Sequence, residues 1–474
     1  MVGITAYGAY VPFNRLERKK IGEAFGERGM PGEKAVANYD EDSVTMAATA
    51  ALDCLTGFEP AKIDGLYFAT TSATYKEKLA ATTIAGVTDL RKDVRTADFT
   101  DSMRAGSTAM LAALDAVAGG ANSMLVCMAD CRLGGATGAL EQTFGDGGAA
   151  FLIGKEGVIA ELEDALSISS EFVDYWRDAK DDFVRSWEER FIITEGYNRL
   201  VKEAVARLLK KNNLTPKDFS KIVLYGPAPR HQAALAQMLG FDKEQVQDNL
   251  YSTVGIAGVA NAPMMLVGAL EDAAPGDKIL VVTYGEGSDV LIFKATDAIR
   301  QLPPRRALRG YLEVKKSTML YTTYLKWRKL IDLEPPRRPE PRSPSLPGMW
   351  RRYQQSLGLY GTKCMNCGTP QFPVQRVCTK CQAKDQMEPY TFKDKKATIA
   401  TYTVDYLTAS PDPPVIFAVI DFEGGGRMIC EMTDSEVDKL DIGKEVKMSF
   451  RRIYEKNSIY VYGWKAMLKK EEVK

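Results

Sequence analysis

Short apolar runs recur through the first three hundred residues: GITAYGAYV, DGLYFAT, SMLVCMA, AAFLIG, KIVLYG, KILVVTYG and DVLIFKA. Runs of four to eight residues suit strands buried on both faces. Between them lie the Ala-rich stretches SVTMAATAALDCLTG, STAMLAALDAVAGG and NAPMMLVGALEDAAPG. These predict helices whose small side chains let them approach a sheet closely. The alternation of strand and helix predicts an α/β layered fold. It runs roughly twice, giving a weak internal repeat with halves near 1–165 and 190–300. The charged segment WRDAKDDFVRSWEERFIITEGYNRLVKEAVARLLKKNN, between and overlapping them, reads as mostly helical.

Beyond residue 300 the pattern changes. LEPPRRPEPRSPSLPG holds six prolines in sixteen residues and predicts an extended linker. YTTYLKWRKLI before it and MWRRYQQSLGLYG after it predict short amphipathic helices. From 391 onward, KKATIATYTVDYL, PVIFAVIDFEGGGRMICEMTD, EVKMSFRRIY and SIYVYGW predict the short strands of a small barrel. The expected segments are 1–165 and 166–300 for the two halves, the second with a helical insertion. A Pro/Arg-rich linker with short helices at 301–350, a cysteine-bearing segment at 351–390 and a barrel at 391–474 follow.

Composition narrows the function. The 474 residues carry 62 Lys and Arg against 62 Asp and Glu, which argues against a dedicated nucleic-acid or anionic-membrane binder. The barrel segment PVIFAVIDFEGGGRMICEMTDSEVDKLD is acidic, which argues further against a single-strand nucleic-acid groove. The N-terminus has no signal-peptide pattern and no apolar run reaches about 20 residues, so a cytoplasmic location is expected. The single histidine, His231, excludes a histidine-based hydrolase or a multi-His metal enzyme.

Four of the eight cysteines form two C-x-x-C pairs, Cys364/Cys367 and Cys378/Cys381, separated by ten residues. Two such knuckles complete a tetrahedral thiolate site for Zn²⁺. Four thiolates leave no open coordination position, so the metal's role is structural. A degenerate knuckle and a redox dithiol are the other readings. Of the remaining four, Cys54, Cys127, Cys131 and Cys430, the pair Cys127 and Cys131 reads as small buried residues.

LYGTKCMNCGTPQFPVQRVCTKCQ together with FAVIDFEGGGRMICEMTD resembles the zinc-ribbon/OB-fold family found beside thiolases. That resemblance implies association with thiolase-superfamily enzymes and help in holding acyl-CoA. The stretches YDEDSVTMAATAAL, DSMRAGSTAM, GGANSMLVCMADCRLGG, GALEQTFGDGGAAFLIG and VGIAGVANAPMMLVGALEDAAPGDKILVVTYGEGSD resemble hydroxymethylglutaryl-CoA synthase, of the thiolase superfamily. The resemblance implies a five-layer αβαβα fold from two similar halves, followed by a four-cysteine zinc ribbon and an OB-fold barrel. It also implies a cysteine nucleophile at a helix N-terminus, a Glu acid/base, and a His helped by an Asn.

In this chain those positions fall on Met103, near Ser72, on Tyr225 and on Ile256. Glu77 stands a few residues from the Glu position, and His231 six residues past Tyr225. A thioether cannot be acylated. Neighbouring Ser102 is an alternative nucleophile, but no histidine is at hand to activate it. Tyr225 reads either as a core tyrosine or as an acid and hydrogen-bond donor, as in thiolase-like retro-aldolases that lack the cysteine. Asp101 and Arg104 read as an ion pair or as a contact to CoA or a partner. Arg305, Arg306, Arg337 and Arg338 read as CoA-phosphate ligands or as solvated linker charges. Gly106, Gly255, Gly285 and Gly287 read as tight-turn positions.

Two functions follow from the resemblance. One is a degenerate subunit, homodimeric through its thiolase-like domain, that binds acyl-CoA and partners a separate cysteine-bearing thiolase. The other is a stand-alone acyl-CoA aldolase, lyase or synthase using Tyr225. Met103 opposes an ordinary hydroxymethylglutaryl-type condensation.

Overall fold

Gly3–Tyr10 (β1), buried at every residue, lies in the middle of a nine-stranded sheet. The other strands are Gly65–Ala69 (β2), Arg95–Phe99 (β3), Ser123–Asp130 (β4), Gly147–Gly154 (β5), Ala160–Ser169 (β6), Lys221–Leu224 (β7), Lys278–Tyr284 (β8) and Gly287–Ala295 (β9). The computed structural model describes residues 1–334 and 343–469, so Arg337 and Arg338 lie outside the described residues. The chain forms two units. The first comprises Met1–Ala37, Asp42–Ala85 and Leu90–Tyr321; the second comprises Asn38–Glu41, Gly86–Asp89 and the chain from Thr322.

In the first unit the strand order is β7-β8-β9-β6-β1-β5-β4-β2-β3. It contains one motif twice. In the first half, β2 runs parallel to β3 and β4, while β5 runs antiparallel to β4 and β1. In the second half, β7 runs parallel to β8, while β9 runs antiparallel to β8 and β6. The third strand of the second half is reduced to a single parallel bridge, Ile222 to Val246. The halves join through antiparallel pairs Gly3–Glu161 and Ile4–Ala160. The second half thus opens at β6, and the boundary expected at 165/166 falls inside that strand.

The helices repeat as well. Ser43–Cys54 (α1), Ala81–Val87 (α2) and Ala105–Ala118 (α3) follow β1, β2 and β3. Arg199–Asn212 (α4), Pro229–Met238 (α5) and Asn261–Asp272 (α6) take the corresponding places in the second half. Asp42 starts α1 through a capping box, accepting from Thr45 N at 3.0 Å while its own N–H donates to Thr45 Oγ1 at 2.9 Å. Adjacent glycines on β5 show the layering. A Cβ on Gly147 would meet Met264 Sδ of α6 at 2.7 Å, and one on Gly148 would meet Met46 O of α1 at 3.3 Å. Neighbouring residues on a strand face opposite ways, so α1 and α6 cover opposite faces. Residues Asn261–Leu270 of α6 are all buried, as suits a helix in an inner layer.

The second unit holds two small sheets. Tyr360–Cys364 (β10) pairs with Pro370–Gln371 (β11) and Met387–Thr391 (β12). Ala397–Asp405 (β13), Val415–Phe422 (β14), Arg427–Glu431 (β15), Glu445–Lys456 (β16) and Ile459–Leu468 (β17) form an antiparallel sheet in the order β15-β14-β13-β16-β17. Ile399, Ile420, Phe450 and Trp464 are buried in its core. An ion cluster lies beside that core. Arg451 contacts Glu41 at 2.7 Å, Asp434 at 2.6 Å and Asp40 at 3.2 Å, and Lys465 contacts Asp40 at 3.0 Å. Burial works against ionised Asp40, but Lys465 and Arg451 outweigh it and hold the carboxyl below its ordinary range.

Candidate functional site

The turn from β3 into α3 carries Asp101, Ser102, Met103 and Arg104, with Met103 two residues before the helix. The turn between β8 and β9, Gly285-Glu286-Gly287, comes against it from the other half. Gly285 has φ +156°, and a Cβ there would sit 2.9 Å from Met103 Cβ, so only glycine fits. Ser102 Oγ donates to Glu286 Oε2 at 2.5 Å. Burial pushes the Glu286 carboxyl upward. Glu286 is a carboxyl partner of Ser102 that the sequence did not disclose. Its signal was slight: a single Glu between two glycines, held at φ +43°.

Arg104 does not pair with Asp101 as expected. Its Nη1 meets Asp289 of β9 at 2.7 Å, and its Nε donates to Gly285 O at 2.5 Å. The arginine reaches into the buried β8–β9 turn, whereas Asp101 is exposed and accepts from Thr100 Oγ1 at 2.8 Å.

A cavity of about 160 Å³ opens beside Ser102, Met103 and Glu286. Tyr225 lines it, together with Arg132, Asp174 and Tyr284. Arg132 is 7% exposed and lies 4.5 Å over the Phe144 ring. Burial disfavours its charge, and the nearby Asp130 carboxylate opposes that effect. The Tyr284 hydroxyl interacts with the Asp174 carboxyl, both on buried residues, 4% and 3% exposed. Burial raises the pKa of Tyr225, Tyr284 and Asp174. The phenols are therefore protonated donors at neutral pH.

Ser72, Glu77, His231, Ile256, Arg305 and Arg306 lie outside the cavity lining. Ser72 Oγ donates to Asp130 Oδ1 at 2.8 Å and accepts from Cys131 N at 2.9 Å. Asp130 also accepts from Thr70 Oγ1, Thr71 N, Thr71 Oγ1 and Val259 N. That network closes the end of β4, so Ser72 belongs to a scaffold. Glu77 is exposed, and Ile256 is buried and apolar; neither lines the cavity. His231 meets Glu189 at 3.0 Å, also away from it. Cys127 is fully buried and its thiol is pushed upward by burial. Arg305, read as a CoA-phosphate ligand or a solvated linker charge, donates to the carbonyls of Tyr7 at 2.9 Å and Cys54 at 2.8 Å. Arg306 lies 3.9 Å over the Tyr311 ring and donates to Gly310 O at 3.1 Å. Both are committed to packing the first unit.

In the second unit the sulfurs of Cys364, Cys367, Cys378 and Cys381 all lie within 4.8 Å of one another. Cys364 and Cys381 are 3.7 Å apart, and Cys367 and Cys378 are 3.5 Å apart. Zn–S bonds of about 2.3 Å would place the corners of a tetrahedron about 3.8 Å apart, so the donors fit zinc. None of the four is in a disulfide.

A duplicated α/β motif, with a buried inner helix and a cavity where the turns of its halves meet, defines a thiolase-superfamily domain, here carried with a zinc ribbon and an OB fold. Residues 209–292 match the family described as 3-oxoacyl-[acyl-carrier-protein] synthase III C terminal. Residues 356–388 match the ChsH2 rubredoxin-like zinc ribbon domain, and 392–451 the ChsH2 C-terminal OB-fold domain. The chain is 34% identical over 342 residues to the hydroxymethylglutaryl-CoA synthase of Pyrococcus horikoshii, covering 70% of this chain and 93% of that one. It is 32% identical over 343 residues to the synthase of Methanopyrus kandleri, covering 69% and 97%. The chain belongs to the hydroxymethylglutaryl-CoA synthase family. Its fold matches a crystal structure of HMG-CoA synthase complexed with CoA at a TM-score of 0.62 and 21% identity, over 69% of this chain and 89% of that one. No described helix is long and apolar enough to cross a membrane.

Proposed function

We propose that this chain is an acyl-CoA-binding subunit that works with a separate, cysteine-bearing thiolase in forming or cleaving C–C bonds. The observation that carries this reading is Met103. A methyl thioether stands before α3, where the sequence resemblance puts the family's nucleophile, and it can neither ionise nor hold an acyl group. The scaffold around it is kept, including the glycine contact to Gly285. A chain with the scaffold but no nucleophile needs the acyl-carrying step done elsewhere. The ribbon and OB fold are its docking and ligand-cradling parts. Cys364, Cys367, Cys378 and Cys381 hold one Zn²⁺ in a closed, structural site. The thiolase-like domain supplies a homodimer surface, as a two-fold assembly would use one patch twice.

The cavity favours a second reading. Tyr225 presents a phenol to the cavity that Glu286 and Ser102 also line, a set suited to acid–base chemistry on an acyl-CoA without an acyl-enzyme. This is the stand-alone aldolase, lyase or synthase.

Affinity purification of the tagged chain from its native host separates the two. A thiolase recovered at equal stoichiometry, with no turnover of CoA esters by the isolated chain, is the expected result. Recovery of the chain alone, with turnover abolished in Tyr225→Phe, would reverse the choice.

A further inference from the structure

Glutamate rarely adopts a positive φ, yet Glu286 sits at φ +43° in the turn from β8 to β9. Neither neighbour lets that turn relax. Gly285 lies against Met103, and a Cβ on Gly287, at φ +129°, would sit 1.9 Å from Ile168 O. Glycine would suit position 286 at lower cost. A carboxyl kept in a strained conformation on the wall of a cavity has a task other than folding.

That carboxyl is held at one oxygen. Oε2 accepts from Ser102 Oγ, while Oε1 accepts no hydrogen bond among the described residues. Arg104 makes no ion pair with it; its guanidinium meets Asp289 at 2.7 Å and donates to the carbonyls of Gly285 and Glu286. Burial raises the pKa of Glu286, as do the charges of Asp174 and Glu171, against the Ser102 hydrogen bond and the Arg104 charge. A carboxyl raised in this way takes up a proton more readily than one in water. The protonated phenol of Tyr225 lines the same cavity. A proton acceptor and a hydrogen-bond donor facing one cavity suit a carbon acid, whose negative charge moves onto a carbonyl oxygen.

We propose that Glu286 is a catalytic base that removes a proton from the α-carbon of a bound acyl-CoA, with Ser102 positioning its carboxyl and Tyr225 hydrogen-bonded to the thioester oxygen. The C–H pair becomes the C=C bond of an enolate, the carbonyl pair moves onto oxygen, and the proton rests on Glu286 until it returns. The substrates are thioesters with a hydrogen on the α-carbon. No acyl-enzyme forms, so Met103 is no obstacle, and the ester is regenerated, so no net turnover is needed. This rests on the acyl-CoA-binding reading above and names a chemistry for that site.

The test incubates the full chain with propionyl-CoA in D2O and follows deuterium in the acyl group by mass spectrometry, with isothermal titration of the same ester alongside. Exchange at the α-carbon should exceed the buffer rate, and Glu286→Gln should lower it by about 100-fold or more while propionyl-CoA still binds. The Ser102 hydrogen bond favours the ionised carboxyl, so in Ser102→Ala the midpoint of the rise of exchange with pH should move upward, which a merely structural serine would not do. Binding without exchange above buffer, or exchange that survives Glu286→Gln, overturns the proposal and leaves the acyl-CoA reading standing. Where Glu286→Gln does not fold, as judged by circular dichroism, an unmoved midpoint in Ser102→Ala overturns it instead. If propionyl-CoA does not bind, the acyl-CoA reading falls and this proposal with it.

Discussion

Glu271, near the end of α6, shows what half-burial does to one carboxyl. Desolvation raises its pKa to about 7, against the opposing pull of the Arg309 N–H, which donates at 3.2 Å, and of the Arg309 charge. The folded state therefore holds a proton that the unfolded chain releases near pH 4.5. Stability contributed by that proton is full below the unfolded value and is lost as pH rises towards 7. Glu271→Gln keeps the acceptor and removes the ionisation. It should stabilise the protein at pH 8 by on the order of 1–2 kcal/mol, allowing for solvent screening, and have little effect at pH 4. Urea unfolding at the two pH values reads this directly. The residue scale is also where the sequence disclosed least. Met103 could be placed because it sits in a local motif. Glu286 could not, since it acquires its role from chain far away. Ser102 and Glu286 are 184 positions apart, and Arg104 and Asp289 are 185 apart.

At the scale of elements, the zinc ribbon was the most legible part because its whole logic is local spacing. Its strand β11 is two residues long, and the sheet around it is too small to hold itself on apolar burial. Metal analysis should find one zinc per chain, lost in Cys378→Ser. A strong chelator should then let amide protons of residues 360–391 exchange as in an unfolded segment while those of β1 remain protected. Retained protection without metal would show that the ribbon folds on packing alone. The barrel strands were legible as alternating runs, but their order was not. β13 lies between β14, which follows it, and β16, which pairs Val446 with Ala397. Nothing in either run names its distant neighbour.

At the scale of the molecule, duplication was visible as a repeated alternation of apolar runs and Ala-rich helices. Its erosion was not. The third strand of the second half survives as the bridge at Val246, which no periodicity would disclose. Residues 301–350 read as a Pro/Arg-rich linker with short helices. Ala307–Glu313 forms a short helix with Leu308 and Tyr311 buried, the latter edge-on to Tyr10 at 5.1 Å. Which of its residues would pack against distant strands was not visible in the composition. A fragment ending at residue 155 should elute as aggregate in size-exclusion chromatography, because β1 would keep β5 but expose its other edge.

That same placement of the first strand sets a timetable for synthesis. The opening residues of the chain become the middle of its main sheet, and both of their neighbours are encoded about 150 positions later. As the chain leaves the ribosome, this strand must wait with both edges open until those neighbours emerge. For this protein the vulnerable interval comes early, and it closes when the seam between the halves is sewn.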